Sequence, residues 1–540
     1  MIPETTASHR ALARAALIVM FLFVASRVLG LLRDVAISHQ FGTARALDAY
    51  FAAFTIPDFI FNVLAGGALG SAFIPTFAAA LADDSKRAWR LARAIIALVF
   101  FLMTALAILL AIFASPIVAL IVAPGFTPAD QELTTTLMRA MLLTPIVFGV
   151  SGILMGILNA HQHFILPALA PALYNAAIIA GALWLAPTFG IYGLVIGVIA
   201  GSFLHLAIQL PWLWRNRITH ASRELRITNY ELRNSIFQSP DVKKVARLFL
   251  PRTIGIAAVQ INFVVNTILA STLPIGSIAA LGYAWRVMLL PVGVIGQSLA
   301  TVVFPTLSAQ TARQERAAFR ATFSIALRAT LYLTIPASVG LFILGAPFIA
   351  LLFERGQFDA RSTADTAFAL QFFALGLFAH SGLEIITRAF YALHDTRTPV
   401  IVGVGAMALN IALSIALIAP LAHCGLALAN SIATILEMLT LLAILQRRLG
   451  DIDARQIAIS ITRILIASFA MALAIAALAN WLASFGAIFL AMVGGALGAL
   501  IYFIATVILR SHEIAFIIAR VNRKLETLAP HARAGVENQK

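Results

Sequence analysis

The sequence predicts an all-α polytopic membrane protein with about fourteen transmembrane helices, arranged as two pseudo-symmetric six-helix lobes plus two C-terminal helices. Of the 540 residues, 61% are apolar and 11% are charged, whereas soluble globular chains carry roughly 45–50% apolar and about 25% charged residues. Hydrophobic stretches of about 20 residues recur along nearly the whole chain, and in lipid a helix satisfies its own backbone hydrogen bonds. The short alternating strands of an outer-membrane barrel are absent from the sequence.

Hydrophobic stretches that end at proline, glycine or charged residues define fourteen candidate membrane spans. In chain order they are 13–38, 47–80, 91–114, 133–158, 164–186, 190–214, 244–272, 276–308, 321–351, 364–392, 398–420, 424–446, 457–482 and 486–509. The first apolar stretch, residues 15–32, contains Arg27 and lacks a convincing small-residue cleavage site. We therefore interpret it as a membrane helix and not as a removable signal peptide.

The basic residues of the turns predict the orientation of the helices, because short cytoplasmic loops are enriched in lysine and arginine. Arg10 and Arg14 precede the first span, and the even-numbered turns carry Lys86, Arg87, Arg90, Arg215, Arg217, Arg313, Arg316, Arg397, Arg447 and Arg448. The odd-numbered turns carry Arg45, Arg355 and Arg361. Both termini are therefore expected in the cytoplasm, which requires an even number of spans.

The net charge is +15, but the basic residues lie between hydrophobic spans and not on the face of a soluble domain. A nucleic-acid partner is therefore not expected. Residues 215–243 are predicted to form a basic amphipathic cytoplasmic linker, and residues 510–540 a basic cytoplasmic tail. Both are expected to lie on membrane lipids of the cytoplasmic leaflet. The single cysteine, Cys424, excludes an internal disulfide and a cysteine-based metal cluster.

An internal repeat organises the chain. Three residue pairs share a spacing of 230 or 232 positions, namely Pro75 with Pro305, Pro167 with Pro399, and Gly193 with Gly425. The repeat predicts an N-lobe over residues 1–214 and a C-lobe over residues 244–446, with two further helices over residues 447–509. Parallel repeats of this kind are typical of secondary transporters whose site lies between the lobes.

Ionisable residues occur at membrane depth, where an unneutralised charge costs several kcal/mol, so each is expected to face a partner or a wet cavity. They are Arg27, Arg33 and Asp34 in span 1, Asp48 and Asp58 in span 2, Arg252 in span 7 and Arg286 in span 8. Because spans 7 and 8 repeat spans 1 and 2, these groups are expected to converge on one cationic cavity. Guanidinium groups suit a phosphate or diphosphate. The alternative is that the arginines pair with the aspartates and hold the lobes together.

The sequence contains few residue patterns that are typical of an enzyme or a metal site. His161 and His163 have no third metal ligand nearby, and no glycine-rich phosphate loop of an ATPase occurs. Glu384 and Arg388, one turn apart on span 10, are interpreted as a structural ion pair. The chain is therefore not expected to be an enzyme, with a membrane-embedded transferase or a signalling scaffold left as weaker alternatives.

Several short motifs follow one another in a recognisable order. They are Ser-Arg-Val-Leu-Gly-Leu-Leu-Arg-Asp at 26–34, Phe-Gly at 41–42, Asp-Ala-Tyr-Phe at 48–51, Ala-Gly-Gly-Ala-Leu-Gly-Ser-Ala-Phe-Ile-Pro-Thr at 65–76, Ala-Pro-Gly-Phe at 123–126, Tyr-Ala-Trp-Arg at 283–286 and Leu-Pro at 290–291. Together they resemble the MurJ (MviN) lipid II flippases of the multidrug/oligosaccharidyl-lipid/polysaccharide exporter superfamily. The resemblance covers essentially the whole chain, including the fourteen helices.

The resemblance implies alternating-access export of the undecaprenyl-diphosphate-linked peptidoglycan precursor, lipid II, across the bacterial cytoplasmic membrane. It implies that Arg27, Arg33, Asp48 and Arg286 bind this substrate, and that the last two helices line a groove for the lipid tail. It further implies a monomer that works beside other proteins of cell-wall synthesis. No cofactor is expected, and an ion gradient or the membrane potential is left open as the energy source.

The chain departs from the family pattern at two places. Many members carry a basic pair where this chain has Phe61 and Asn62, and some carry an acid where it has Leu289. We therefore include Asn62, together with Asp34 and Arg252, among the candidate substrate-binding residues. A flippase for another lipid-linked glycan, or a multidrug exporter of the same superfamily, remains an alternative. The exporter would need unpaired buried acids, whereas Asp34 adjoins a basic residue.

The distribution of basic residues predicts on which side of the membrane each turn lies. In a functional variant without Cys424, single cysteines at positions 87 and 316 should react with impermeant thiol reagents only from the cytoplasmic side. A cysteine at position 357 should react from the outside, because it lies in an odd-numbered turn. Reaction of positions 87 and 316 from the outside would contradict the predicted orientation.

Overall fold

The computed structural model of the protein describes residues 5–65, 67–214, 239–511 and 513, and helix is the only regular structure among them. The long helices are α1 Thr5–Phe41, α2 Arg45–Leu64, α3 Gly67–Asp83, α4 Ser85–Ile112, α5 Pro128–Ala160, α6 Ile165–Phe189, α7 Ile191–Trp214, α8 Pro240–Ser271, α9 Ser277–Ala312, α10 Arg316–Phe353, α11 Ala360–Ala374, α12 Leu377–Ala392, α13 Arg397–Leu421, α14 His423–Leu449, α15 Ala454–Ala483 and α16 Ala487–Ile508. Short helical turns also occur, among them Ala114–Ile117.

The lengths and apolar composition of these helices confirm the all-α membrane class. Within the described ranges, eleven helices are long and apolar enough to cross a membrane, or twelve if the bent pair α11 and α12 forms one span. Helices α1, α3 and α8 lie outside that count. The total of fourteen spans therefore stays a prediction.

Two of the predicted spans contain irregular helix geometry within the described residues. The second span, described as α2 and α3, contains a π-helical turn at Phe61–Ala65. The tenth is bent by 44° between α11 and α12. At this bend Gly376 approaches α14 so closely that a Cβ would lie 2.7 Å from Ser431 Oγ. Ser431 Oγ donates a hydrogen bond to Phe372 O at 2.6 Å, which satisfies a carbonyl that the break releases.

The chain forms two compact units. The first comprises Met1–Ala279 and Phe353–Ser362, and the second comprises Ala280–Leu352 and Thr363–Lys540. The predicted lobe boundaries concern a sequence duplication, which these units do not test, so they stay a prediction. The predicted linker and tail fall almost entirely outside the described residues.

The first unit includes a short loop from the second half of the sequence, Phe353–Ser362. Gln357 N donates to His39 O at 2.9 Å, and the Thr43 and Ser362 hydroxyls are 2.9 Å apart. A Cβ added at Gly356 would meet His39 O at 2.4 Å, so only glycine allows this approach. The loop is thus fixed on the turn that follows α1.

In the second unit, the last two helices pack onto α10. Tyr502 of α16 donates from Oη to Tyr332 O at 2.6 Å, and the Tyr332 hydroxyl lies 2.9 Å from Thr506 Oγ1. Ile464 and Met471 of α15 belong to the same buried core. The helices added after the predicted repeat are therefore integral to this unit.

Backbone geometry recurs at the spacing found in the sequence. Gln162 and His394, 232 positions apart, both have positive φ, 58° and 61°. Gly190 and Ala422, also 232 positions apart, start α7 and α14 with φ/ψ of 58°/−139° and 49°/−134°. Left-handed φ values are uncommon outside glycine, so their recurrence at one spacing supports a duplicated backbone.

The paired glycines of the repeat have one packing role. A Cβ at Gly193 would lie 2.5 Å from Ala186 N at the end of α6. A Cβ at Gly425 would lie 2.3 Å from Leu417 O at the end of α13. In each case the glycine lets a helix start against the end of the preceding helix.

This packing predicts that adding a side chain at either glycine destabilises the protein. Gly193→Ala and Gly425→Ala should each lower the free energy of unfolding by about 1–3 kcal/mol, because the new methyl group overlaps backbone atoms that cannot move aside. The measurement is thermal unfolding of the purified protein in detergent. Gly405→Ala on α13 is the control, because a Cβ there meets nothing within 4 Å. Equal melting temperatures for all three variants would contradict the close packing.

Candidate functional site

Arg33 and Asp34 form a fixed polar group on α1. Arg33 donates from Nε and Nη2 to Asp34 Oδ1 at 3.1 and 2.9 Å. Its Nη1 donates to Asn175 Oδ1 on α6 at 3.1 Å, and Asn175 Nδ2 donates to Ser26 O at 3.3 Å. The structure therefore brings two of the predicted site residues together and adds Asn175, which the sequence did not single out.

Arg27 lies two turns earlier on the same helix and has a different environment. It is exposed. It makes no hydrogen bond or ion pair with the part of the chain that the structure describes. An arginine in an apolar helix with no internal partner retains its full capacity for an anion. The expectation of an available cation on α1 therefore rests on Arg27.

Asp48 has a structural environment that the sequence did not predict. It is 1% exposed, and its carboxylate accepts hydrogen bonds from the main-chain N–H groups of Gly276 at 2.6 Å and Ala279 at 2.9 Å. Gly276 directly precedes α9 and Ala279 lies in its first turn, where unpaired N–H groups and the helix dipole favour a carboxylate. Asp48 thus caps a helix that begins 229 positions later in the sequence.

Arg45 extends this arrangement on the same side of α2. Its Nη1 lies 3.9 Å from Asp48 Oδ2, and its Nε lies 3.4 Å from Asp130 Oδ2 on α5. Its guanidinium carbon lies 4.6 Å from the centre of the Phe126 ring. The Asp48 carboxylate is therefore surrounded by protein donors.

The remaining predicted residues are described by their local surroundings. Arg286, in the second unit, is half-buried, with its guanidinium carbon 6.0 Å from the centre of the buried Tyr283 ring. Asn62 donates from Nδ2 to Asp58 O at 3.0 Å within its own helix. Arg252 lies on α8, and its side chain is outside the described residues. The binding roles of these residues stay predictions.

Polar side chains of the second unit are paired locally. The predicted ion pair between Glu384 and Arg388 is confirmed, with Oε2 and Nη1 2.5 Å apart. Gln297 Nε2 lies 3.5 Å from Glu384 Oε1, and His380 Nε2 lies 3.1 Å from Asn430 Oδ1. Among the described residues, no group of three or more histidine, cysteine or acidic side chains could hold a metal ion.

The geometry of Asp48 predicts a stability effect. Asp48→Asn should lower the free energy of unfolding by about 1–3 kcal/mol, because the amide oxygen can replace only one acceptor and the amide NH₂ opposes a buried N–H group. Thermal unfolding of the purified variant measures the change. Asp83→Asn is the control, because its exposed ion pair with Arg87 should be worth less than about 1 kcal/mol. A variant at position 48 that unfolds at the wild-type temperature would contradict the capping role.

Comparisons with known proteins identify the family. The family model described as "Lipid II flippase MurJ" matches residues 37–494. The lipid II flippase MurJ of Burkholderia cenocepacia is 30% identical over 447 residues, which cover 81% of this chain and 84% of that protein.

Solved structures agree with this assignment. A structure of lipid II flippase MurJ in an inward closed conformation matches with a TM-score of 0.76 and 29% identity, covering 91% of this chain and 99% of the other. An inward-facing multidrug resistance transporter of the MATE family matches with a TM-score of 0.67, 16% identity and coverage of 81% and 99%, a likeness that shows the fold alone. The chain therefore belongs to the MurJ lipid II flippase family.

Proposed function

We propose that this protein is an alternating-access flippase that moves lipid II from the inner to the outer leaflet of the bacterial cytoplasmic membrane. Family membership supports the substrate class, since relatives that align along most of the chain carry that name. The structural observation that carries the proposal is Arg27, an exposed cation on a membrane helix without a partner in the described chain. A diphosphate can offset its desolvation.

The neighbouring groups on α1 suit recognition of a diphosphate. Arg33 is held by Asp34 and Asn175, so part of its guanidinium is oriented before any ligand arrives. A planar guanidinium can bind two phosphate oxygens at once. In this proposal Arg27, Arg33 and Arg286 contact the diphosphate, while Asp34 positions Arg33.

The other candidates receive different assignments. Asp48 and Asn62 act as positioning residues, because their side chains form hydrogen bonds with the protein backbone. Arg252 is kept as a further candidate contact for the diphosphate. The substrate crosses the membrane without a covalent step, so the protein is a transporter and not an enzyme.

The proposal includes a topology and an energy source. Both termini lie in the cytoplasm, and the protein acts as a monomer. Outward movement of a net negative charge is favoured by an inside-negative potential, by about 2.3 kcal/mol per charge for each 100 mV. The membrane potential can therefore contribute to export without a cofactor, and an ion gradient remains a second source.

The test uses the full protein in vesicles that carry lipid II in the inner leaflet. Arg27→Ala and Arg286→Ala should abolish export because the diphosphate loses charge-assisted hydrogen bonds, whereas Arg→Lys should retain part of it, since an ammonium cannot present a planar fork. The measurement is the appearance of lipid II in the outer leaflet. Arg313→Ala in a turn is the matched control for loss of one positive charge.

Two outcomes would contradict the proposal. Export of lipid II at the wild-type rate by both folded alanine variants would show that these arginines are structural. Export of a different undecaprenyl-diphosphate glycan, or of a cationic drug, without export of lipid II would replace the substrate. Melting temperatures of each variant separate loss of binding from loss of folding.

A further inference from the structure

The second unit contains a cavity of about 550 Å³ at a place where four helix ends meet. Its lining residues come from the end of α9, the start of α10, the end of α12 and the end of α14. They are Gln310, Thr311, Gln314, Arg316, Phe319, Leu393, Arg448 and Leu449. The volume is within the range of small-molecule sites. The turns that join these helices carry the basic residues predicted to be cytoplasmic.

The polar lining of the cavity is cationic and contains no carboxylate. Two arginines, Arg316 and Arg448, line it together with three amide or hydroxyl side chains. Arg316 is exposed, and its side chain has no hydrogen bond or ion pair with the described residues. Arg448 is held by two residues that do not line the cavity, because it pairs with Asp395 and donates from Nη2 to Thr398 Oγ1 at 2.9 Å. A guanidinium has five N–H groups, so donors remain for a ligand.

The partner of Arg448 is itself fixed. Asp395 Oδ1 accepts hydrogen bonds from Arg397 N and Thr398 N, each at 3.0 Å. Partial burial disfavours its charge, but the hydrogen bonds from Thr398 and the ion pair with Arg448 outweigh this and lower the pKa of Asp395 to about 2. The Asp395 carboxylate therefore stays charged at neutral pH and holds the Arg448 guanidinium in one orientation.

Gln310 adds an acceptor to the same wall. Its Nε2 donates to Thr322 Oγ1 at 2.9 Å. Its Oε1 is buried and accepts no hydrogen bond from the described residues. A buried acceptor without a donor costs about 1–3 kcal/mol. A ligand hydroxyl group could supply that donor once the Gln310 amide, which borders the cavity, turns Oε1 toward it.

The first unit shows how the position that corresponds to the cavity is packed there. At the repeat spacings, Phe319 and Leu393 correspond to Trp89 and His161. The Trp89 and His161 rings lie 6.2 Å apart, and His161 also packs on Trp212 at 5.1 Å. Large rings therefore occupy this position in the first unit, whereas smaller side chains line a cavity in the second. The backbone does not require the cavity, because the same helix ends can be packed with aromatic rings.

We propose that this cavity binds a hydroxyl-bearing phosphate ester from the cytoplasmic side. Arg316 and Arg448 would bind the phosphate group, and Gln310 Oε1 would accept a hydrogen bond from the hydroxyl group. Two sources carry this chemistry, the head group of phosphatidylglycerol and a soluble compound such as glycerol 3-phosphate. The site is separate from the arginines of α1 and does not depend on the proposed transport function.

The experiment uses the full-length protein in two arms. In the lipid arm, native mass spectrometry counts phosphatidylglycerol molecules retained by the detergent-purified protein, with phosphatidylcholine as the reference lipid. In the soluble arm, calorimetry measures glycerol 3-phosphate binding to the protein in phosphatidylcholine nanodiscs. The decisive comparison is Arg316→Gln against Arg313→Gln, an exposed arginine of the same turn that does not line the cavity.

Arg316→Gln should weaken binding by about tenfold or more, or remove one retained lipid, because a charge-assisted hydrogen bond is lost. Arg313→Gln should bind as the wild type does, and Phe319→Trp should block binding by filling the cavity. Binding in the lipid arm alone identifies a head group, and binding in the soluble arm identifies a soluble ester. The proposal is overturned if wild-type protein binds neither probe, or if both arginine variants bind equally. This comparison stands even if Phe319→Trp fails to fold.

Discussion

The cost of placing a charge in an apolar medium is the constraint on which the arrangement of this protein depends. Several kcal/mol must be offset for each ionised group, and the chain does this in two ways. Arg33 is neutralised by Asp34 and further satisfied by Asn175, while Asp48 is satisfied by the N–H groups of a helix that begins far along the sequence. These groups hold helices together. A membrane charge left outside such arrangements, as Arg27 is in the described chain, is therefore the better indicator of a ligand.

The same constraint explains which parts of the candidate site could be predicted from the sequence. The pair Glu384 and Arg388 was predictable, because residues four positions apart on one helix face each other. The contact of Arg33 with Asn175 was not, since it depends on which faces of α1 and α6 meet. Asp48 was recognisable as a charge in an apolar span, but its helix-capping role requires the approach of a segment more than 200 residues away.

The helices themselves were largely predictable, whereas their interruptions were not. Hydropathy over about 20 residues determines whether a segment can cross the membrane, and it does not report where a helix bends. The bend between α11 and α12 depends on the absence of a Cβ at Gly376 and on a hydroxyl group from α14 that satisfies a released carbonyl. Both are tertiary contacts. The cavity between the ends of α9, α10, α12 and α14 likewise depends on side-chain sizes in four separate segments.

The internal repeat includes backbone geometry but not the charged segment of α1. Turn conformations and close helix contacts recur 232 positions apart, so the backbone framework of one half is echoed in the other. The charged segment of α1 does not recur, since the corresponding residues 257–266 contain no ionisable side chain. Duplicated frameworks of this kind are typical of secondary transporters. The Arg27, Arg33 and Asp34 group is confined to one half, so under the proposed function an anionic head group would meet different side chains in the two halves. The two halves therefore differ in the side chains of this segment, while they share the backbone geometry of the turns and helix starts.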